Sequence, residues 1–192
     1  MNFCLAVYTL WQRELVRFYR QPSRVVGALG TALLFWLVLG TGLGNAGGVD
    51  YRSYFFPGTM VMSVMFTCIF STASIIEDRQ AGFLQSVLVA PIPRSAVVLG
   101  KILGGATLAT LQGLVLLVFA GTIGASFRFA PLAGLLVSLF LLSFILTAAG
   151  FWLAWKIESP QGFHTIMNLV FLPMWMASGA VFTVSSSPWL KL

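Results

Sequence analysis

The chain has 192 residues, of which 58% are hydrophobic and 8% are charged, and its mean hydropathy is +0.93. A water-soluble domain carries roughly a quarter charged residues, so this composition excludes one. The net charge is +6, but the basic residues fall between long apolar runs and form no stripe with interleaved aromatic residues. This pattern argues against a nucleic-acid partner and is typical of a membrane protein whose loop charges set its orientation.

Residues 1–24 predict an amphipathic helix that lies in the membrane interface. Apolar residues recur there at helical spacing, and another face of the same helix is basic. The interfacial set is Trp11 and Phe18 on the apolar face and Arg13, Arg17 and Arg20 on the basic face. We expect the arginines to point towards lipid headgroups. No short apolar core with a small-residue cleavage pattern is present, so the sequence does not predict a cleavable signal peptide.

Five long uncharged runs follow, at residues 25–49, 53–76, 102–127, 129–155 and 159–190. Each exceeds the roughly 20 apolar residues that a helix needs to cross the hydrocarbon core of a bilayer. The sequence therefore predicts an all-α, polytopic integral membrane bundle with five spans. Pro173 and Pro188 interrupt the fifth run, so we expect a kinked span followed by a re-entrant segment on the outer side.

The basic residues also predict the orientation of the chain. With a cytoplasmic N-terminus, eight of the 11 Lys and Arg residues fall in inner segments and three in outer segments. Because cytoplasmic loops carry an excess of Lys and Arg, we expect the N-terminus inside and the end of the chain outside.

The connection between the second and third spans, residues 77–96, has the most distinctive pattern. A charged cluster, Glu77, Asp78 and Arg79, precedes a short amphipathic helix that Pro91 and Pro93 end. One face of this helix is apolar and consists of Phe83, Leu84, Val87 and Leu88. An apolar face displayed in the cytosol favours a groove on a partner protein.

The order Asp78-Arg79-x-x-Gly82-Phe83-Leu84, then Val87-Leu88-Val89-Ala90-Pro91-x-x-Arg94, then Leu99-Gly100-Lys101, resembles the signature of ABC-2 type transporter permeases. Phe56-Pro57-Gly58 and Ser178-Gly179 are similar to further elements of that family. Among its subgroups, the chain most resembles the permeases of drug-resistance and lipo-oligosaccharide (nodulation-type) exporters. The resemblance covers nearly all of residues 1–192, which we interpret as a single transmembrane domain.

The resemblance implies a role for each cytoplasmic segment. The amphipathic helix, about residues 80–90, would be a coupling helix that docks on a separate ATP-binding subunit, and residues 1–24 would be the elbow helix of the family. The implied coupling residues are Glu77, Asp78, Arg79, Gly82, Phe83, Leu84, Val87, Leu88, Pro91 and Arg94. Family members often carry charges where this chain has Gln80 and Gln85, which predicts a less electrostatic contact with the ATPase.

The resemblance also implies the setting of the protein. It implies a homodimer in the bacterial inner membrane that exports an amphipathic drug, a lipid-linked saccharide or a polysaccharide. ATP and magnesium would bind to the partner ATPase, and this chain would hold no cofactor, metal or catalytic residue. The family has six spans and a cytoplasmic C-terminus, so the five predicted spans lead us to expect that the last span is missing.

Two other function classes remain as alternatives. An ion-coupled secondary transporter would need an ionisable or broken-helix site at mid-membrane, and Pro173 is the one feature that favours it. An intramembrane enzyme would need paired carboxylates, a metal cluster or an activated nucleophile. Cys4 and Cys68 have no metal-site spacing, and a structural role for His164 is the simpler interpretation. Gly100-Lys101 lacks the flanking residues of a P-loop.

Overall fold

The computed structural model describes residues 3–42, 50–123 and 129–181, and each element in these ranges is helical. The helices are α1 (Phe3–Tyr19), α2 (Pro22–Gly42), α3 (Tyr51–Gln80), α4 (Phe83–Val89), α5 (Arg94–Val115), α6 (Phe129–Lys156) and α7 (Pro160–Trp175). A 3₁₀ segment, Leu116–Ile123, continues α5, and a π-helical turn, Met176–Ala180, continues α7. The predicted all-α polytopic fold is confirmed.

Within the described ranges, four helical segments are long and apolar enough to cross a membrane: Pro22–Gly42, Tyr51–Gln80, Arg94–Gly121 and Leu132–Lys156. They correspond to the first four predicted spans. The fifth predicted span begins as α7 and its π-helical continuation, which together run from Pro160 to Ala180, close to the end of the described residues. The predicted re-entrant segment lies outside the described residues.

The described part of the fifth predicted span contains the expected kink, a few residues after Pro173. Helix α7 continues through Pro173 to Trp175. The departure comes in the π-helical turn, where Gly179 has a left-handed φ of 83°. Proline removes only its own N–H donor and disturbs the turn around it. A wider π turn directly after it accommodates that disturbance without ending the helix.

Helix α3 is the centre of the bundle and packs against α2, α5, α6 and α7. Small side chains permit the close approach of these helices. A Cβ atom added at Gly105 of α5 would lie 2.7 Å from the Ser71 Oγ of α3 and from the Thr147 Cγ2 of α6. The three helices therefore meet at a point where only glycine fits.

The end of the bundle that holds the C-termini of α3 and α6 and the N-termini of α5 and α7 is called here the charged end. At the opposite end, α7 is fastened to α3 by hydrogen bonds to the backbone. The Trp175 indole donates to the Gly58 carbonyl at 2.9 Å, and the hydroxyls of Tyr51 and Tyr54 donate to the carbonyls of Val181 and Gly179.

Candidate coupling site

Helix α4 lies at the charged end, between α3 and α5. Gly82 precedes it with φ 74°, which allows the chain to turn sharply out of α3 because glycine has no Cβ to clash in the left-handed region. Pro93 is the N-cap of α5. The short helix predicted between the charged cluster and the two prolines is therefore present.

The apolar face of α4 does not point where the sequence suggested. We expected it to be displayed to a partner, but Leu84 is only 4% exposed and forms a small core with Leu10 of α1 and Val97 of α5. Val87 and Ile92 pack against this core. The expectation was wrong for Leu84 because α1 lies beside α4 and already occupies its inner face.

The face of α4 that points away from this small core, and some of the residues that follow α4, are exposed. Gln85, Ser86, Pro91 and Arg94 are exposed, and Val89 is 87% exposed. The side chain of Leu88 lies outside the described part of the chain. Among the described side chains, the surface of α4 that a partner protein would meet therefore combines the polar Gln85 and Ser86 with the aliphatic Val89.

One side chain of α1 connects α3 and α4. The Arg13 guanidinium lies 3.6 Å from the ring centroid of Phe83 at the start of α4. The same group donates to both carboxylate oxygens of Asp78 in α3, at 3.0 and 2.9 Å. Bidentate arginine–carboxylate pairs fix geometry as well as charge, and the hydrogen bond with Asp78 raises the pKa of Arg13. Helices α1 and α4 are thereby held together.

Asp78 is the centre of a buried ion network. Its carboxylate, 3% exposed, also accepts from Arg17 at 2.6 Å and from the Lys101 ammonium of α5. Lys101, equally buried, donates in addition to Glu14 of α1 at 2.7 Å. Buried charges persist when they are paired and hydrogen-bonded on all sides. The network therefore fixes α1, α3 and α5 in one arrangement.

Glu77 forms a second group of ion pairs beside the first. It accepts from Arg17 at 2.7 Å and from Arg24 at the start of α2. Glu77 and Asp78, both implied to be ATPase-coupling residues, thus face partners inside the protein. Their direct part in docking stays a prediction.

The interfacial residues are placed as follows. Arg13 and Arg17 point to carboxylates of the protein and not to lipid headgroups as expected, because the acidic end of α3 lies next to α1. Arg20 is exposed, Phe18 is buried, and the Trp11 indole donates to the Thr107 hydroxyl at 3.1 Å. The location of α1 in the membrane interface stays a prediction.

Arg79 and Gln80 reach the opposite side of the bundle. Arg79 donates to the carbonyls of Trp155, at 3.0 Å, and Ile157. The Gln80 amide donates to the Glu158 carbonyl at 2.9 Å. The end of α3 is thus joined to the connection between α6 and α7.

Sequence reasoning missed Glu14, Arg24 and Lys101 as members of this site. A signal was present, since ionisable residues at the border of an apolar segment are costly and need partners. The sequence alone did not indicate which partners they have.

His164, the single histidine of the chain, packs against the rings of Phe70 and Phe163, at centroid distances of 5.4 and 6.1 Å. Among the described residues, no cluster of three His, Cys, Asp or Glu side chains could hold a metal ion.

The fold defines a polytopic helical membrane protein with a short helix, α4, beside the buried ion network at the charged end of the bundle. The family model described as ABC-2 type transporter matches residues 6–192. The chain belongs to this family, and the resemblance inferred from its motifs is confirmed. It is a permease of the ABC transporter class, which sets aside the enzyme alternative.

Curated relatives agree with this assignment. The chain is 29% identical to nodulation protein J of Rhizobium meliloti over 93% of its own length and 71% of that protein. It is 27% identical to nodulation protein J of Neorhizobium galegae, over 95% and 72%. It is 26% identical to the inner membrane transport permease YadH of Escherichia coli strain K12, over 54% and 43%. No solved structure matches the chain significantly.

Proposed function

We propose that this chain is the membrane-spanning subunit of an ATP-driven exporter and that a separate ATPase subunit docks on the exposed face of α4. The observation that carries the proposal is the two-sided character of this helix. Leu84 anchors one face to α1 and α5, whereas Gln85, Ser86 and Val89 are exposed on the other. A short helix that is packed against the bundle on one face and exposed on the other can receive a force from a partner and transmit it to the bundle.

The anchoring determines what a push on α4 would move. Phe83 lies under Arg13, and Arg13 is bound to Asp78. Packed elements with several charge-assisted hydrogen bonds tend to move as units and not to deform continuously. Closure of the ATPase subunits would therefore displace α4 together with α1 and the charged ends of α3 and α5. This displacement would shift the spans between inward-open and outward-open arrangements.

The wider setting is also part of the proposal. Two copies of the permease pair with two ATPase subunits in the bacterial inner membrane, with the charged end and the N-terminus on the cytoplasmic side. ATP and Mg²⁺ bind to the ATPase. The cargo is an amphipathic drug, a lipid-linked saccharide or a polysaccharide, the classes that the resemblance to drug-resistance and nodulation-type exporters implies. Leu5, Tyr8 and Tyr19, exposed on α1, contact lipid at the interface.

The test is co-purification of the full-length gene product with its ATPase from detergent. Ser86→Arg together with Val89→Asp alters only exposed positions of α4, so we expect the permease to insert normally and to lose the ATPase. Gln12→Asp, at an exposed position of α1, is the matched control and should retain it. Full ATPase recovery with the α4 variant, together with undiminished transport, would overturn the docking assignment.

A further inference from the structure

The connection between α6 and α7, residues 157–159, is held by the two residues that end α3. We call this connection the α6–α7 turn. Arg79 donates to the carbonyls of Trp155 and Ile157, and Gln80 donates to the carbonyl of Glu158. Among the side-chain hydrogen bonds of the described residues, these are the ones that reach the turn from another element. The Ser159 hydroxyl bonds to Gln161 and Gly162, and the Ser159 carbonyl accepts from the Phe163 N–H, all within the start of α7.

The chemistry of the contact suits arginine in particular. The last carbonyls of a helix have no intrahelical donors and carry the negative end of the helix dipole. Arg79 places a positive, forked donor at the end of α6 and binds one carbonyl within the helix and one beyond it. Lysine has the same charge, but its one nitrogen would have to serve both carbonyls, whereas arginine binds each carbonyl with a different guanidinium nitrogen.

Arg79 lies in the chain between the contacts of Asp78 and the start of α4. Asp78, one residue earlier, holds α1 and α5, and Gly82, three residues later, begins the turn into α4. Adjacent residues on a helix point about 100° apart, so Asp78 and Arg79 bind elements on different sides of α3. The end of α3 is therefore bound to α1 and α5 through Asp78 and to α6 and the α6–α7 turn through Arg79. The chain continues from this end directly into α4.

Helix α7 is fastened to α3 at both ends. At the end remote from the charged end, the Trp175 indole donates to the Gly58 carbonyl, and the Tyr54 hydroxyl donates to the Gly179 carbonyl. At the charged end, the α6–α7 turn and its bonds to Arg79 and Gln80 hold it. A displacement of the charged end of α3 would therefore carry the start of α7 with it and tilt the helix about its far contact.

We propose that Arg79 is a positioning residue. Its hydrogen bonds make the α6–α7 turn, and with it α7, move together with α4 and the charged end of α3. The family resemblance implied a role for Arg79 in coupling to the ATPase; in this proposal Arg79 acts inside the permease. The proposal gives the permease a second route from α4 to the spans, separate from the Asp78 network. Its part in transport rests on the proposed function, but the mechanical link does not.

The link is tested by the distance between α4 and α7 in the full chain in lipid nanodiscs, without ATPase. Spin labels at Gln85→Cys and Gln161→Cys, both exposed, report this distance by pulsed electron paramagnetic resonance. Cys4→Ser removes the exposed native thiol, and Cys68 is buried. We expect a narrow distance distribution in the parent and a clearly broadened one with Arg79→Gln. An unchanged distribution would overturn the proposal.

Lys156→Gln is the matched control. Lys156 is an exposed cation at the end of α6 that lies over the Trp152 ring and reaches no carbonyl of the turn. Its loss should leave the distribution narrow; equal broadening would mean that any lost cation loosens this end, which contradicts the proposal. If Arg79→Gln does not fold, Arg79→Lys carries the test, because it keeps the charge and should still broaden the distribution.

A second readout in the complex with ATPase separates positioning from docking. With Arg79→Gln we expect the ATPase to stay bound and to hydrolyse ATP, while transport per ATP falls about tenfold, because glutamine can keep at most one of the two carbonyl bonds and has no charge. Loss of the ATPase itself would assign Arg79 to docking and overturn the proposal. Failure of the parent permease to bind any ATPase would instead contradict the proposed function, while the distance measurement would still decide the link.

Discussion

Arg13 of α1 and Asp78 of α3 form a bidentate ion pair, with two nitrogen–oxygen distances of 3.0 and 2.9 Å. The pair connects a helix that precedes the first span to the end of the second span, 65 positions later in the chain. Asp78 is 3% exposed and Arg13 is 33% exposed, so the pair lies at the edge of the protein interior. Helix α1, held in this way, is a structural part of the bundle.

Removal of the Asp78 carboxylate should destabilise the permease strongly. Asp78→Ala leaves Lys101 buried with Glu14 as its remaining carboxylate partner, and loss of one member of a buried ion network costs about 3–5 kcal/mol in the free energy of unfolding. Thermal unfolding in detergent measures this loss. The control, Glu158→Ala at an exposed position, should change the free energy by less than about 0.5 kcal/mol. Equal stability of the two variants would show that the network does not hold the helices together.

The Arg13–Asp78 pair should show thermodynamic coupling. In a double-mutant cycle with Arg13→Ala and Asp78→Asn, we expect a coupling energy of about 0.5–3 kcal/mol, the range for residues in one ion network. Arg13→Lys should behave more like Arg13→Ala than like the parent, because lysine loses both the fork on Asp78 and the flat contact over Phe83. Additive single effects would contradict the pairing.

The close approach of α1 to α5 requires glycine at two positions of α5. An added Cβ would lie 2.9 Å from the Leu10 Cβ at Gly100, and 2.8 Å from the Glu14 Cβ at Gly104. Gly100→Ala should force α1 away from α5 and reduce the free energy of unfolding by about 1–3 kcal/mol, the usual cost of overpacking.

Gly30→Ala is the matched control for this overpacking test. Gly30 lies in α2, and an added Cβ there meets nothing within 4 Å. Alanine is the better helix former by up to about 1 kcal/mol, so this variant should be neutral or slightly stabilised in the same unfolding measurement. A loss equal to that of Gly100→Ala would indicate a general intolerance of alanine and not a packed contact.

Much of the fold could be predicted from the sequence, because charge-free length and proline position are local signals. The uncharged runs located α2, α3, α5 and α6, and the prolines at 91 and 93 located the end of α4. The direction in which each face points could not be predicted in the same way. The sequence shows only that Leu84 is an apolar residue of a short helix, whereas its burial depends on the positions of Leu10 on α1 and Val97 on α5.

The ion network shows the same limit for charged residues. Arg13 and Arg17 on an amphipathic helix suit lipid phosphates and protein carboxylates equally well, and the choice depends on contacts more than 50 residues away in the chain. Arg79 was associated with the docking surface because it belongs to the motif, but its partners are backbone carbonyls, which carry no sequence signal. Pairing over long distances, and bonding to the backbone, were therefore the parts that sequence reasoning missed.

The most direct test of the central claim is site-specific photo-crosslinking between the permease and its ATPase in membranes. A photoreactive amino acid is placed singly at Ser86, Val89 or Leu84 of the full-length protein. The exposed positions 86 and 89 should cross-link to the ATPase, and the buried position 84 should cross-link only within the permease. A cross-link to the ATPase from position 84, or none from 86 and 89 in an actively transporting complex, would contradict docking on the outer face of α4.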